Sequence, residues 1–200
     1  FKSRKLTKFA AAAVALLLIF LSGSRAGLIG FGIEMAFIWL TTLRVSILKS
    51  VTISIILILL ALFLPFIEGG GWFENRGQIW QTALQAGLES PILGQGFGNI
   101  QDPIRKAAIK LNNPVQYQVV DSAHNFILDW WIQGGIVGVI SLLTLIFLSI
   151  QGFTRHKRVL EATALLGVVA TMLFNPLSVV NLLAFWWLLG QGFEKQHIGL

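Results

Sequence analysis

Three residues of the kinds that move protons and hold anions stand far apart in the chain: Arg25 in SGSRAGLIG, Arg76 in ENRGQIW and His124 in DSAHNFILDWWIQGGIVG. Arginine keeps its charge and offers a planar fork of donors matched to phosphate or carboxylate oxygens. A histidine where a helix begins meets unpaired N–H groups and the positive end of the helix dipole. Neutral imidazole, the form able to take a proton, is favoured there. Asn125 adds a hydrogen-bonding amide beside it. Each has a plainer reading too. Arg25 can snorkel to an interface, Arg76 can be a solvated charge beside Glu74, and His124 can cap a helix with Asn125 as a polar neighbour. Whether the chain brings them to one side decides between the two.

Composition says what must position them. With 55% hydrophobic and only 12% charged residues, a mean hydropathy of +0.75 and seven Trp in 200 residues, the chain falls outside the soluble range. Long apolar runs, rather than short alternating segments, point to an all-α integral membrane protein, a polytopic helical bundle, and away from a β-barrel. Six spans are expected at 9–23, 26–43, 45–67, 126–150, 159–174 and 177–193. The first and the last two are short against the roughly 20 residues a crossing needs, and the last pair can also be one hairpin broken at Asn175-Pro176. The opening FKSRKLTKF lacks a cleavage pattern behind it and reads as a loop of a mid-chain fragment rather than a signal peptide. One membrane domain is expected, with three spans over 9–67, a long loop over 68–125 and three more over 126–193.

Orientation follows from lysine and arginine. Lys2, Arg4, Lys5 and Lys8, then Arg44 and Lys49, then Arg155, Lys157 and Arg158, then Lys195 fall on one face, which should be cytoplasmic. That placement also accounts for the net charge of +6 and excludes a nucleic-acid partner. Arg25, the long loop and the NP turn then share the external face, so Arg25, Arg76 and His124 lie on the same side. The loop balances Arg76, Arg105, Lys106 and Lys110 against Glu68, Glu74, Glu89, Asp102 and Asp121. Connections of that length are functional or disordered. Trp72, Phe73, Ile79, Trp80, Ala83, Leu84 and Leu88 recur at helical spacing, which predicts an amphipathic helix on the membrane surface. SPILGQGFGN then breaks it.

Elsewhere, Gly134, Gly135 and Gly138 are small residues of the kind that admit a neighbouring helix, and Trp130 and Trp131 suit an interfacial belt. Asp129 adds an acid at shallow depth. Glu34 is an intramembrane acid, either functional or paired with a further helix. Cysteine is absent, which excludes disulfides, thiolate metal sites and cysteine catalysis. His156 and His197 fall on the opposite face, so no metal cluster can form around His124. The glycine-rich SPILGQGFG lacks the lysine and spacing of a nucleotide loop.

Together these pieces resemble the C-terminal half of the O-antigen ligase and O-antigen polymerase superfamily. His124, Asn125, nine residues, Gly135, two residues and Gly138 reproduce the ligase-type pattern, and SRAG, NRGQIW and PILGQGFG support it over roughly residues 20 to 150. One departure is Gln133, where many relatives have Glu. The resemblance implies transfer of a glycan from an undecaprenyl diphosphate carrier to an acceptor hydroxyl, without nucleotide, metal or other cofactor, on the external face of a bacterial inner membrane. His124 would be the general base, Arg25 and Arg76 would bind and stabilise the diphosphate, and Asn125 would position a sugar or the ring. The acceptor would be lipid A core, another glycan or a protein. A repeat-unit polymerase is the nearest alternative. A small-anion transporter using Glu34 and Arg25, or a structural membrane partner, are readings of other classes.

Overall fold

The computed structural model describes residues 2–67, 76–117, 119–175 and 178–194. Glu68, Trp72, Phe73, Glu74, Pro176, Lys195, His197 and the side chains of Lys2, Arg4, Lys5 and Lys8, which entered the expectations above, lie outside the described residues. Within them the chain is helical: α1 (Lys2–Leu21), α2 (Arg25–Thr42), α3 (Ile47–Ala61), α4 (Leu64–Ile67), α5 (Arg76–Leu88), α6 (Gln101–Lys110), α7 (Phe126–Arg155), α8 (Val159–Met172) and α9 (Val179–Gln191), with a 3-10 turn at Pro114–Tyr117. Serines open several of them. Ser24, Ser46 and Ser178 accept from the N–H groups of Gly27, Lys49 and Asn181 and so cap α2, α3 and α9.

Two stretches, Ile47–Phe66 and Phe126–Arg155, are long and apolar enough to cross a membrane, and Ala12–Leu21, Val159–Met172 and Val179–Gln191 are shorter apolar helices. On α3 the buried residues are Ser50, Val51, Ser54 and Ile58, one narrow stripe, while Ile53, Ile55, Ile56, Leu57, Leu59 and Leu60 face outward. A helix so apolar all round, buried along a single stripe, matches surroundings of lipid tails. Lipid gives helices no hydrophobic reason to associate, so close approach of small residues must hold them. α2 and α8 show this. A Cβ on Gly30 would sit 2.9 Å from the Gly167 carbonyl oxygen, and one on Gly167 would run into the Glu34 side chain. Residues 30 and 34 thus meet 171 and 167, so α2 and α8 run antiparallel.

The same logic sorts the bundle into two ends. At one, Arg158 donates from Nε to Glu161 at 3.0 Å, from Nη1 to the Gln191 carbonyl at 2.8 Å and from Nη2 to Gln191 Oε1 at 2.9 Å. Its guanidinium also lies 5.4 Å from the centre of the Phe153 ring. This arginine, read from sequence only as a topology marker, joins the ends of α7 and α9 to the start of α8. Arg158→Ala should therefore lower stability by about 2–3 kcal/mol, the cost of breaking charge-assisted bonds that are shielded from water. Thermal unfolding of the purified protein in detergent measures this, and an unchanged midpoint would show that the clamp contributes nothing. At the other end lie the starts of α2, α5 and α7 and the close of α8.

The long connection is a folded lobe. Ile79, Ala83 and Ala86 of α5 pack with Ile104, Ala107 and Ala108 of α6, with Val115, Val120 and Ala123, and with Ile132 of α7. α5 is the helix expected at the membrane surface, but its buried face is turned to α6 and α7. Leu84 and Leu88, assigned to the same apolar face, are 48% and 59% exposed. α6 was not expected at all. It is short, has Pro103 in its first turn, where proline is tolerated, and carries Asp102 bonded to Lys106 at 2.7 Å and Arg105 at 3.2 Å.

Candidate functional site

The site is built around the start of α7. Asn125 is its N-cap, with extended backbone, and its Oδ1 accepts from the N–H groups of Ile127 at 3.1 Å and Leu128 at 3.2 Å. His124, half-buried, precedes it with φ +53°, in the left-handed region that non-glycine residues rarely occupy. Its N–H donates to Ser122 Oγ at 3.0 Å. The Ser122 hydroxyl in turn donates to Asp129 Oδ2 at 2.8 Å, and the Ala123 N–H donates to Asp129 Oδ1 at 2.7 Å. Asp129, fully buried in the first turn of α7, thus reaches back and ties down the two residues ahead of His124. The dipole at a helix start favours a carboxylate in that place.

One turn further on, the three glycines of the motif prove to have unequal roles. Gly135 has φ 58° and ψ −157°, which interrupts α7. The helix bonds lost at this break are made instead by the loop between α5 and α6. Gln95 N–H donates to the Ile132 carbonyl at 2.8 Å, and Gly96 N–H to the Gln133 carbonyl at 3.1 Å. Ile136 N–H donates to the Pro91 carbonyl at 2.8 Å, and Val137 N–H to the Ile92 carbonyl at 3.2 Å. Close approach of another helix is therefore not what Gly135 serves: a Cβ on it would lie 2.5 Å from the Ile92 carbonyl oxygen and 2.7 Å from Gly94 N. Gln133, the departure from the Glu of many relatives, uses both ends of its amide, accepting from Gly98 N–H at 2.7 Å and donating to the Asp129 carbonyl at 3.1 Å. A glutamate could make only the first of these bonds.

The tryptophans expected to form a belt are engaged within the protein. Trp131 lies over Gly87 and donates from Nε1 to the Leu84 carbonyl at 3.1 Å, docking α5 on α7. Trp130 meets Phe97, Phe126 and Trp186 at ring separations of 5.4, 6.1 and 6.5 Å.

Arg76 opens α5, and its guanidinium donates to the carbonyl of Phe174 at the end of α8. One turn later Trp80 sits between Phe66 and Phe174, with ring centres 5.9 and 5.8 Å away. Between these elements lies an apolar cavity of ≈ 290 Å³. Leu59, Leu62, Phe63 and Phe66 form one wall, Trp80 and Leu84 another, and Asn125, Ile127, Leu128 and Leu173 close it. His124 precedes Asn125 in the chain and Arg76 is one turn ahead of Trp80, so each is joined to a residue of the cavity wall, although neither lines it. Arg25 opens α2 directly after its Ser24 cap. Because α2 runs antiparallel to α8, with Gly30 against Thr171, Arg25 is at the level of Phe174. All three sequence candidates thus occupy one end of the bundle.

The lobe's other cations are neutralised locally. Lys106 and Arg105 hold the Asp102 carboxyl below its ordinary value, and Lys110, 2.8 Å from Glu89, does the same there. Sequence reasoning missed Asp129 as the residue holding the turn; its one visible signal was an acid in the first turn of a helix opened by Asn125.

Comparison with known proteins bears on the family of the chain. The chain is similar to an uncharacterized protein of Haemophilus influenzae (strain ATCC 51907 / DSM 11121 / KW20 / Rd), 31% identical over 99 residues. The match spans 47% of this chain and about a quarter, 25%, of that relative's length. No solved structure matches. A model of the family described as O-Antigen ligase matches residues 10–143, which take in Arg25, Arg76, His124 and the interrupted start of α7, and the chain accordingly belongs to the O-antigen ligase family, whose members are bacterial membrane proteins of envelope polysaccharide assembly.

Proposed function

We propose that this chain carries the transfer centre of a membrane glycosyltransferase that moves a glycan from an undecaprenyl diphosphate carrier to an acceptor hydroxyl, at the external face of the inner membrane. The supporting observation is the apolar cavity with Asn125 in its wall, His124 next to it in the chain and Arg76 one turn from its Trp80. A polyprenyl chain is apolar and seats its head-proximal end in that cavity. The diphosphate then lies at the rim, where the guanidinium groups of Arg76 and Arg25 meet it. An arginine presents five donors in a fork, so Arg76 can hold the Phe174 carbonyl and still grip a phosphate oxygen.

The chemistry balances without a redox partner. The imidazole of His124 takes the proton of the acceptor hydroxyl as its oxygen attacks the anomeric carbon. The bond from that carbon to the phosphate oxygen breaks, and its electron pair leaves with the diphosphate. Positive charge fixed in advance where negative charge develops lowers the barrier to this step. Asn125, whose Oδ1 is committed to the cap, retains an NH₂ able to orient a sugar.

A ligase and a polymerase share this step and differ in the acceptor. Transport of a small anion is less well supported. A further cavity, ≈ 430 Å³ between α1, α2, α8 and α9, has Glu34, Thr171 and Asn181 as the polar side chains of its wall, and no lysine or arginine is among the described residues that line it.

Two experiments test the reading. Cells producing the full-length protein with His124→Ala, at matched membrane levels, should accumulate undecaprenyl-linked glycan, as single units for a polymerase and long chains for a ligase. No accumulation would remove the transferase reading. Leu84→Trp, which fills the cavity from a partly exposed position, should raise KM for a long-chain donor about tenfold, equivalent to the lost burial of about two methylenes. A short-chain analogue should be unaffected, and equal effects on both donors would show that the lipid lies elsewhere.

A further inference from the structure

His124 has a backbone conformation that histidine rarely adopts, and such a conformation persists only where the surroundings over-determine it. Two clamps hold it. On one side Asn125 caps α7; on the other the Asp129 carboxyl spends both oxygens on Ser122 and Ala123, and Ser122 passes the restraint on to the His124 N–H. A fully buried carboxyl group is a costly way to close a turn. No exposed part of Asp129 can touch a substrate, so whatever it does for transfer passes through its neighbours.

We propose that Asp129 is the positioning residue of the site: through Ser122 and Ala123 it fixes the left-handed turn that aims the His124 side chain, and substituting it slows transfer by misdirecting that side chain. This rests on His124 acting as the base. Asp129 is the fourth residue of α7, on a helix turn that Gln133 and the loop at Gly98 also brace. The catalytic side chain is thereby referenced to a rigid helix, although it stands on the turn ahead of it. Misplacement of a catalytic group by about 1 Å costs about 100-fold in rate.

The test uses purified full-length protein, with undecaprenyl diphosphate-linked oligosaccharide from the producing cells as donor. Asp129→Ala should lower kcat about 100-fold with the donor KM within about twofold, because the donor is held elsewhere. Asp129→Asn, which keeps an acceptor for Ala123 and can donate to Ser122 Oγ, should retain more activity than Asp129→Ala. In a His124→Ala background Asp129→Asn should cost nothing further, since residues acting through one group are not additive. Should Asp129→Ala fail to fold, Ser122→Ala removes the hydroxyl that joins Asp129 Oδ2 to the His124 N–H while the Ala123 bond to Asp129 stays, and should still lower kcat at constant KM. A donor KM that rises at unchanged kcat, full activity in both Asp129→Asn and Ser122→Ala, or an equal further loss on the His124→Ala background would each overturn the assignment. If His124→Ala is itself fully active, the transfer mechanism fails. If it is inactive while the Asp129 and Ser122 variants are normal, only the positioning role fails.

Discussion

His124→Ala, assayed in folded full-length protein, should lower the rate of glycan transfer by about 10²–10⁴-fold, the range attributable to one positioned general base. Donor affinity should stay near that of the unaltered protein. The separation follows from the proposed division of roles. In the proposed mechanism the donor's lipid and diphosphate would be held by the cavity and the arginines, whereas the imidazole would act on the acceptor proton, an interaction gained in the transition state. Arg76→Ala should show the contrasting pattern, with donor KM raised and kcat lowered together, because a guanidinium grips the diphosphate both before and during its departure. Single-turnover transfer with pre-bound donor separates the two. Unaltered turnover in His124→Ala would place the base elsewhere and leave His124 as the residue that turns the chain into α7.

Much of the fold was legible because the bilayer simplifies the rules. The apolar runs had to be helices, and α2, α7, α8 and α9 begin within two residues of the spans expected from hydropathy. The start of α7 was legible from the long apolar run that opens at Phe126, but its cap is Asn125, whose Oδ1 accepts from the Ile127 and Leu128 N–H groups, and not the His124 side chain expected there. The gathering of Arg25, Arg76 and His124 at one end followed from alternation of the helices, which needs only their order.

What escaped prediction depends on contacts that no periodicity records. The lobe's core rests on alanines, Ala83, Ala86, Ala107, Ala108 and Ala123, whose spacing carries little hydrophobic signal, so α6 read as polar loop. Asp129 looked like an acid near an interface because its partners lie six and seven residues back, across a turn of irregular conformation. The interruption at Gly135 was hidden by ambiguity in glycine itself. In an apolar run glycine equally signals close helix packing or a backbone that leaves the helix, and only the loop that completes the broken bonds distinguishes them.

That distinction makes a second large effect testable within a single motif. Gly135→Ala should destabilise the protein by about 3 kcal/mol or more and abolish transfer, whereas Gly138→Ala and Gly134→Ala should be close to neutral. At Gly135 the dihedral angles of 58° and −157° fall in a region that essentially only glycine occupies, costing another residue about 1–3 kcal/mol. The added methyl would also lie 2.5 Å from the Ile92 carbonyl oxygen, part of a backbone that the loop bonds hold in place. At Gly138 the same methyl meets Trp130 at an ordinary 3.5 Å, and at Gly134 it meets the Phe97 ring at 3.7 Å. Relief at Gly135 requires the loop to leave α7, which exposes the Ile136 and Val137 N–H groups now bonded to Pro91 and Ile92. Amide hydrogen exchange reads this directly. Gly135→Ala should lose protection at both amides, and the other two variants should keep it. Because the loop also braces the turn below Asp129 through Gln133, its release should carry over to His124. Wild-type protection together with wild-type transfer in Gly135→Ala would mean that α7 runs unbroken and that the loop has no part in shaping the site.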